Sequence, residues 1–274
     1  MPAYRFHRPE SLFTSLLCLA RRTLQTGPEA RRALTAEFSV AAAIGLGSFL
    51  VYLRTLCPTV AASEGGELVA AAATLGIPRP TGYPLYILIG HLLLKAFPET
   101  SPAYVMNIFS AIAASLAVVI FYALVRNVYG NRFLAAITAL GFAFSLSLWS
   151  QATTCGVYTL TALSSAACLY YTFRWYRLRQ DRCLANFALA AGLGLSVHPV
   201  IAVNVVVMMA LLLTTYRRPI RELPRLIRLL ARGLIGLSLY AYLPIRSAAQ
   251  PPLEGGDTST PTAFVRYLLS PGYW

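Results

Sequence analysis

The sequence predicts an all-α, polytopic membrane protein with about seven transmembrane helices and additional juxtamembrane helices. Three observations carry that expectation. First, 57% of the 274 residues are hydrophobic and 12% are charged, with a mean hydropathy of +0.60; a soluble domain carries about 25% charged residues. Second, several apolar runs approach the ~20 residues that a helix needs to cross a bilayer. Third, the basic residues sit at the ends of these runs and not along one soluble face, which is how membrane proteins mark their cytoplasmic side. The net charge of +13 is therefore read as topology, and no nucleic-acid partner is expected.

Residues 1–36 read as a basic cytoplasmic lead-in. Ser11–Ala20 is a short apolar run with no small-residue cleavage site after it, which suits an interfacial helix and not a signal peptide. The membrane module follows over 37–274, and its first span runs from Phe38 to about Leu56. The first outer loop, 57–103, is broken by Pro58, Gly65, Gly66, Gly76, Pro78, Pro80 and Gly82 around one short helical piece, Glu67–Leu75. Tyr83–Phe97 is apolar but short and bounded by prolines. If it crossed, Arg126, Arg132 and every later basic cluster would fall outside, so it reads as a juxtamembrane helix. The remaining spans are Tyr104–Val125, Phe133–Trp149, Val157–Trp175, Leu184–Val197, Val200–Tyr216 and Gly233–Ile245, and 247–274 is the last outer loop. This arrangement puts 18 of the 23 Lys and Arg residues inside, together with the N-terminus; Arg54, Arg79, Lys95, Arg246 and Arg266 fall outside. Lys95 is the only lysine, a bias that fits a GC-rich genome and a bacterial inner membrane.

No GxxxxGK[ST], HExxH or CxxC pattern occurs, so neither a metal nor a bound cofactor is expected. Cys57 and Cys155 both fall on the outer side and could pair, although small apolar filler is the simpler reading of all five cysteines. Chemistry must come from the outer loops, where carboxylates beside a membrane are costly. Glu64 and Glu67 share a face if a helix begins at Glu64, with Gly65-Gly66 between them allowing a close approach to the backbone. The second polar segment runs from Tyr242 through Arg246 to Asp257.

These segments resemble the membrane protein O-mannosyltransferase-like family of the GT-C glycosyltransferase class. The family pattern is Asp-Ser-Gly-Glu, a small-residue helix, then Leu-Gly-Ile-Pro-His-Pro-Pro-Gly-Tyr-Pro-Leu-Tyr. Here it reads Glu64-Gly-Gly-Glu67 and Leu75-Gly-Ile-Pro-Arg79-Pro-Thr81-Gly-Tyr83-Pro-Leu-Tyr86. Trp149-Ser-Gln151, Val157-Tyr158-Thr-Leu160, Gly194–Pro199 and Tyr242–Arg246 follow in the family's order, so the resemblance covers about residues 40–274. It implies a seven-span GT-C-like module and transfer of a sugar, mannose in this family, from a polyprenyl-phosphate carrier to a protein hydroxyl on the extracytoplasmic face. The implied partners are membrane lipid, the lipid-linked sugar and a protein acceptor. Glu64 is then the base that takes the acceptor proton, with Glu67 as the second catalytic carboxylate. Arg246 and Arg79 hold the donor phosphate, and Tyr83, Tyr86, Tyr158, His198 and Asp257 line the substrate pocket. Each residue also has a bland reading: a solvated loop acid, a helix-end charge, a snorkelling arginine or an ordinary interfacial tyrosine.

The chain departs from the pattern at Glu64 (Asp), Arg79 (His), Gly156 (Glu), Val197 (Asn) and Gly255 (Trp), and it ends at Trp274 where relatives continue. These departures, with a possible truncation, keep open a catalytically impaired lipid-binding or scaffold protein on the same fold. A transporter is less well supported, because no halves repeat and no charge lies deep in a span.

Overall fold

The computed structural model describes residues 28–61, 64–215 and 223–269. The amino-terminal run expected to form an interfacial helix lies outside them. Among the described residues all regular structure is helical, apart from one isolated parallel bridge between Ile77 and Glu254. The chain divides into a unit ending at Ala43 and a unit from Ile44 to Trp274. The first contributes the opening turns of helix α1 (Pro28–Arg54); all that follows concerns the second.

After α1 come α2 (Gly65–Thr74), α3 (Pro84–Ala96), α4 (Pro102–Tyr129), α5 (Arg132–Ala143), α6 (Leu146–Ala152), α7 (Tyr158–Leu178), α8 (Asp181–Leu195) and α9 (Ala202–Thr215). They are followed by α10 (Leu223–Leu237), α11 (Tyr242–Ala248) and α12 (Pro261–Leu269). The boundaries have local causes. Pro84, Pro102 and Pro261 open their helices, where a missing N–H costs nothing. Gly130, at φ 71°, closes α4. Asn131 then caps α5 by accepting from Leu134 N at 3.1 Å. The short loop helix expected over Glu67–Leu75 is α2, shifted by one or two residues, and the expected juxtamembrane helix is α3.

Two helical stretches are long and apolar enough to cross a membrane, Thr35–Arg54 and Pro102–Tyr129; α5 and α6, bent by 61°, make a third if they count as one span. The other expected crossings exist as helix but are shorter or more polar. Helix α7 carries Arg174, Arg177 and several hydroxyls, and α8 has only 15 residues. The expected Gly233–Ile245 span is broken by a 3-10 turn at Ser238–Ala241. Pro244 explains the break, because its ring excludes the carbonyl of residue 240 from a regular α-helix.

The bundle sorts its ends. At one end Arg177 donates to Asn127 O (2.6 Å) and Arg179 to Thr215 Oγ1 (3.0 Å), so the carboxyl ends of α4, α7 and α9 meet there. At the other end Asn107, on α4, donates to Cys57 O (2.7 Å) and Thr59 O (3.1 Å), and Leu85 N, on α3, donates to Ser196 O (3.4 Å). Helices α8 and α10 run in the same direction at near backbone contact. A Cβ at Gly192 would lie 2.1 Å from Gly233 O, and one at Gly236 would lie 2.2 Å from the Gly192 carbonyl carbon. Small residues at such crossings are how membrane helices approach closely.

Candidate active site

The motif Glu64–Tyr86 lies at the end of the bundle away from Arg177 and Arg179. Glu64 is the residue before the first turn of α2, in an αR conformation and without a side-chain capping bond. Glu67 lies in the first turn of the helix, so the two carboxylates project from one end of α2, as their spacing predicts. Both are bound by Arg79. The Glu67 carboxylate accepts from Arg79 Nε (2.9 Å), Nη2 (2.6 Å) and the backbone N (2.6 Å), while Arg79 Nη1 pairs with Glu64 Oε1. The side chains of Arg79 and Glu67 are 24% and 27% exposed and that of Glu64 is 48% exposed, so Glu64 is the more accessible acid. Two carboxylates around one guanidinium leave a local charge of −1.

An aromatic wall adjoins this cluster. Tyr83, in the left-handed region at φ 47°, donates its hydroxyl to Pro80 O (3.2 Å) and stacks on His198, with ring centroids 6.3 Å apart and planes 8° from parallel. Tyr158 meets the same imidazole at 6.0 Å. The Tyr83 phenol is pushed up to about 12, first by burial and then by the nearby Glu64. His198 Nδ1 accepts from Val200 N (3.2 Å), which leaves Nε2 as its donor, and burial pulls the imidazole below its ordinary range.

Six of the residues singled out from sequence therefore gather in one place: Glu64, Glu67, Arg79, Tyr83, Tyr158 and His198. Three do not. Tyr86 is fully buried in the core beside Phe109, and its hydroxyl faces Cys155 Sγ at 3.2 Å; it packs beneath the motif, apart from the carboxylate cluster. The same contact places Cys155 among core side chains, and Cys57 and Cys155 are both free thiols, so the disulfide left open by the sequence is not formed. Arg246 donates to Leu75 O (2.7 Å) and Thr74 O (3.2 Å), closing the carboxyl end of α2. Glu64 is at the other end of that ten-residue helix, about 15 Å away along its axis at ~1.5 Å per residue. Asp257 accepts from Ser259 N (2.8 Å) in the last loop, and the Ser259 hydroxyl first and this backbone N–H second hold its carboxyl below the usual range.

Of the residues that clamp the motif, the sequence singled out only Asp257 as a site residue, and for a different role. Ile77 N donates to Leu253 O (2.8 Å) and Gly255 N to Ile77 O (2.6 Å). Tyr242 donates to Gly76 O (2.7 Å) and Tyr267 to Pro78 O. Ser247 lies between the carboxylates of Glu254 and Asp257 and accepts from Thr258 N (3.1 Å). The last loop thus pins Gly76–Pro78 directly before Arg79. The clamp also explains one departure from the family pattern. A Cβ at Gly255 would stand 2.7 Å from Pro78 O and 3.0 Å from Arg79 N, so no larger side chain fits. The adjacent glycines Gly255-Gly256 were the one available sign of a close approach.

The model of the family described as Protein O-mannosyl-transferase TMEM260 N-terminal domain matches residues 64–222, more than half of the chain. The chain belongs to this family. The match opens at Glu64, the first acid of the cluster. Two similar relatives are Protein O-mannosyl-transferase TMEM260 of Mus musculus, 28% identical over 257 residues, and Protein O-mannosyl-transferase tmem260 of Dictyostelium discoideum, 24% identical over 241 residues. The alignments cover 90% and 82% of this chain but 35% and 29% of the relatives. The chain spans about a third of the length of the curated relatives it matches. No solved structure matches it.

Proposed function

We propose that the chain carries the catalytic end of a GT-C-type mannosyltransferase, which moves mannose from a polyprenyl-phosphate carrier to a protein hydroxyl on the extracytoplasmic face of a membrane. The observation that carries the reading is the convergence of Glu64, Glu67 and Arg79 beside the Tyr83–His198–Tyr158 wall, within a family whose named members are O-mannosyl-transferases. The acceptor oxygen attacks the anomeric carbon, the bond from that carbon to the phosphate oxygen breaks, and the hydroxyl proton passes to a carboxylate. Glu64 suits that base because it gives one oxygen to Arg79 and is half exposed. Glu67 has both oxygens occupied and orients Arg79. Arg79 stands where the departing phosphate would gain charge and exchanges carboxylate for phosphate as donor arrives. The aromatic wall offers apolar ring faces and the His198 Nε2 donor to a sugar.

We also propose seven crossings with a cytoplasmic N-terminus, from the bias of 18 of the 23 Lys and Arg residues to one side of the apolar runs, and a bacterial inner membrane from composition alone. The test is transfer of labelled mannose from synthetic polyprenyl-phosphate mannose to an acceptor peptide, in membranes containing the chain. Glu64→Gln should abolish transfer at unchanged protein level, and full activity in that variant removes Glu64 as base. A second reading is favoured by the already neutralised Arg79 and by the glycine at position 156: a carrier-lipid-binding protein without transferase activity. Carrier binding with no transfer in the unaltered chain would select it.

A further inference from the structure

The motif Trp149-Ser-Gln151 takes no part in the carboxylate cluster, yet its last member reaches the edge of the aromatic wall. Gln151 is the penultimate residue of α6. The turn that follows belongs to the site end of the bundle: Cys57 N donates to Thr153 O (3.0 Å), and Asn107 holds the Cys57 and Thr59 carbonyls. Gly156 lies in that turn, and Tyr158 opens α7. A Cβ at Gly156 would stand 3.3 Å from Gln151 Oε1 and 3.8 Å from Tyr158 Cδ2. The carboxamide and the tyrosine ring therefore flank one small space, which the glycine leaves open.

The polar side chains around Gln151 are occupied. Trp149 Nε1 donates to Thr55 Oγ1 (3.0 Å), Ser150 Oγ to Ser147 O (3.2 Å), and the hydroxyls of Thr153 and Thr154 to Ser150 O (3.1 and 3.2 Å). Gln151 is half-buried, and its carboxamide makes no hydrogen bond among the described residues. It stands beside Tyr158, whose ring is half exposed and meets His198.

We infer that Gln151 is a sugar-binding residue, whose carboxamide holds a hydroxyl of the donor's mannose at the Tyr158 edge of the wall. The assignment rests on the reading of the cluster as a mannosyltransferase site. A carboxamide presents one acceptor oxygen and two N–H donors and carries no charge. It matches sugar hydroxyls, which both donate and accept, and it offers a phosphate no cation. Arg79 serves the phosphate and Glu64 the acceptor proton, so the neutral group at the other edge of the wall is left for the body of the sugar. A few placed polar groups among ring faces are what orient a ligand in such a site. A side chain at position 156 would crowd the carboxamide, and Gly156 gives it room.

The test measures binding of two probes, synthetic polyprenyl-phosphate mannose and bare polyprenyl phosphate, to the full chain in nanodiscs. In Gln151→Leu the affinity for the mannosylated carrier should fall about fivefold, the effect of one neutral hydrogen bond, while the affinity for the bare carrier stays the same. Ser150→Ala, at an exposed position on the same helix, should change neither. If Gln151→Leu does not fold, Gly156→Ala, whose methyl displaces the carboxamide, should lower the affinity for the mannosylated carrier alone. An equal loss for both carriers in Gln151→Leu marks a merely structural role and overturns the proposal, as does an unchanged affinity for both. Either result leaves the mannosyltransferase reading standing, because the unaltered chain still binds the mannosylated carrier. An unaltered chain that binds neither probe removes that reading and this assignment with it.

Discussion

Replacing Arg246 separates a positioning role from a phosphate-binding role. Its guanidinium donates to Leu75 O at 2.7 Å and to Thr74 O at 3.2 Å. The shorter bond, charged and part-buried, is worth about 1.5 kcal/mol and the longer, exposed one roughly 0.5 kcal/mol; a cation at a helix carboxyl end adds about 0.5 kcal/mol. Arg246→Gln should therefore destabilise the Thr74–Arg79 connection by about 2–3 kcal/mol. Arg246→Lys keeps the charge but not the fork and should recover roughly half of that. The assay is amide hydrogen exchange on the reconstituted protein, read at Gly76 and Ile77, whose N–H groups bond Ala71 O and Leu253 O at 2.8 Å. If local opening governs exchange, protection there should fall about 30- to 140-fold in Arg246→Gln. Unchanged protection combined with a weaker affinity for the lipid-linked donor would refute the argument and return Arg246 to the phosphate site.

Further outcomes follow from the same geometry. Gly192→Ala places a methyl 2.1 Å from Gly233 O and should lower stability by about 3 kcal/mol or more, seen as a fall in the thermal midpoint, with Gly47→Ala, where a Cβ meets open space, as the benign control. Gly255→Trp, which restores the common family residue, should loosen the clamp because its Cβ meets Pro78 O; faster proteolysis in the last loop would report it, and an unchanged cleavage rate would count against the clamp. His198 has its folded-state pKa lowered by burial, so the unfolded chain binds the proton more readily and stability falls as pH drops below about 6.5. A thermal midpoint that declines from pH 7 to 5.5 in the unaltered protein and declines less in His198→Gln would agree; identical slopes would not. Arg79→Gln leaves Glu64 and Glu67 facing each other without their cation and should reduce any transfer activity by at least tenfold while Tyr83–Pro80 and the core remain, checked by an assay of donor turnover against protein level.

Much of the helical layout was legible because its causes are local. Proline at first turns, Gly130 after α4 and the Asn131 cap all act within a few residues of the boundary they set, and α2 and α3 lie where the first loop was expected to hold helices. Span count was less legible. Run length and charge bias predict seven crossings, whereas among the described residues two helices, or three with the bent pair, meet a length-and-composition test. Buried hydroxyls and close glycine packing let helices such as α7 and α8 sit in a bundle without a uniformly apolar surface. The acidic motif was legible as a motif, but its wiring was not. Arg79 and Arg246 looked alike in sequence as two outer-side arginines, and Tyr83 and Tyr86 as two motif tyrosines. Packing separates them: one arginine joins the acids and the other closes a helix end, while one tyrosine faces the site and the other is sealed in the core.

By itself the sequence determined the helical class, the long apolar helices and membership of the family. These are matters of periodicity, partition and local sterics, written in neighbouring residues. Only the tertiary structure decided that Arg79 binds both glutamates, that Arg246 holds the far end of the same helix, and that the last loop grips Gly76–Pro78 from more than 160 residues away. Such pairings depend on which backbone carbonyls and side chains the packed helices leave within hydrogen-bond reach, and no local pattern records that.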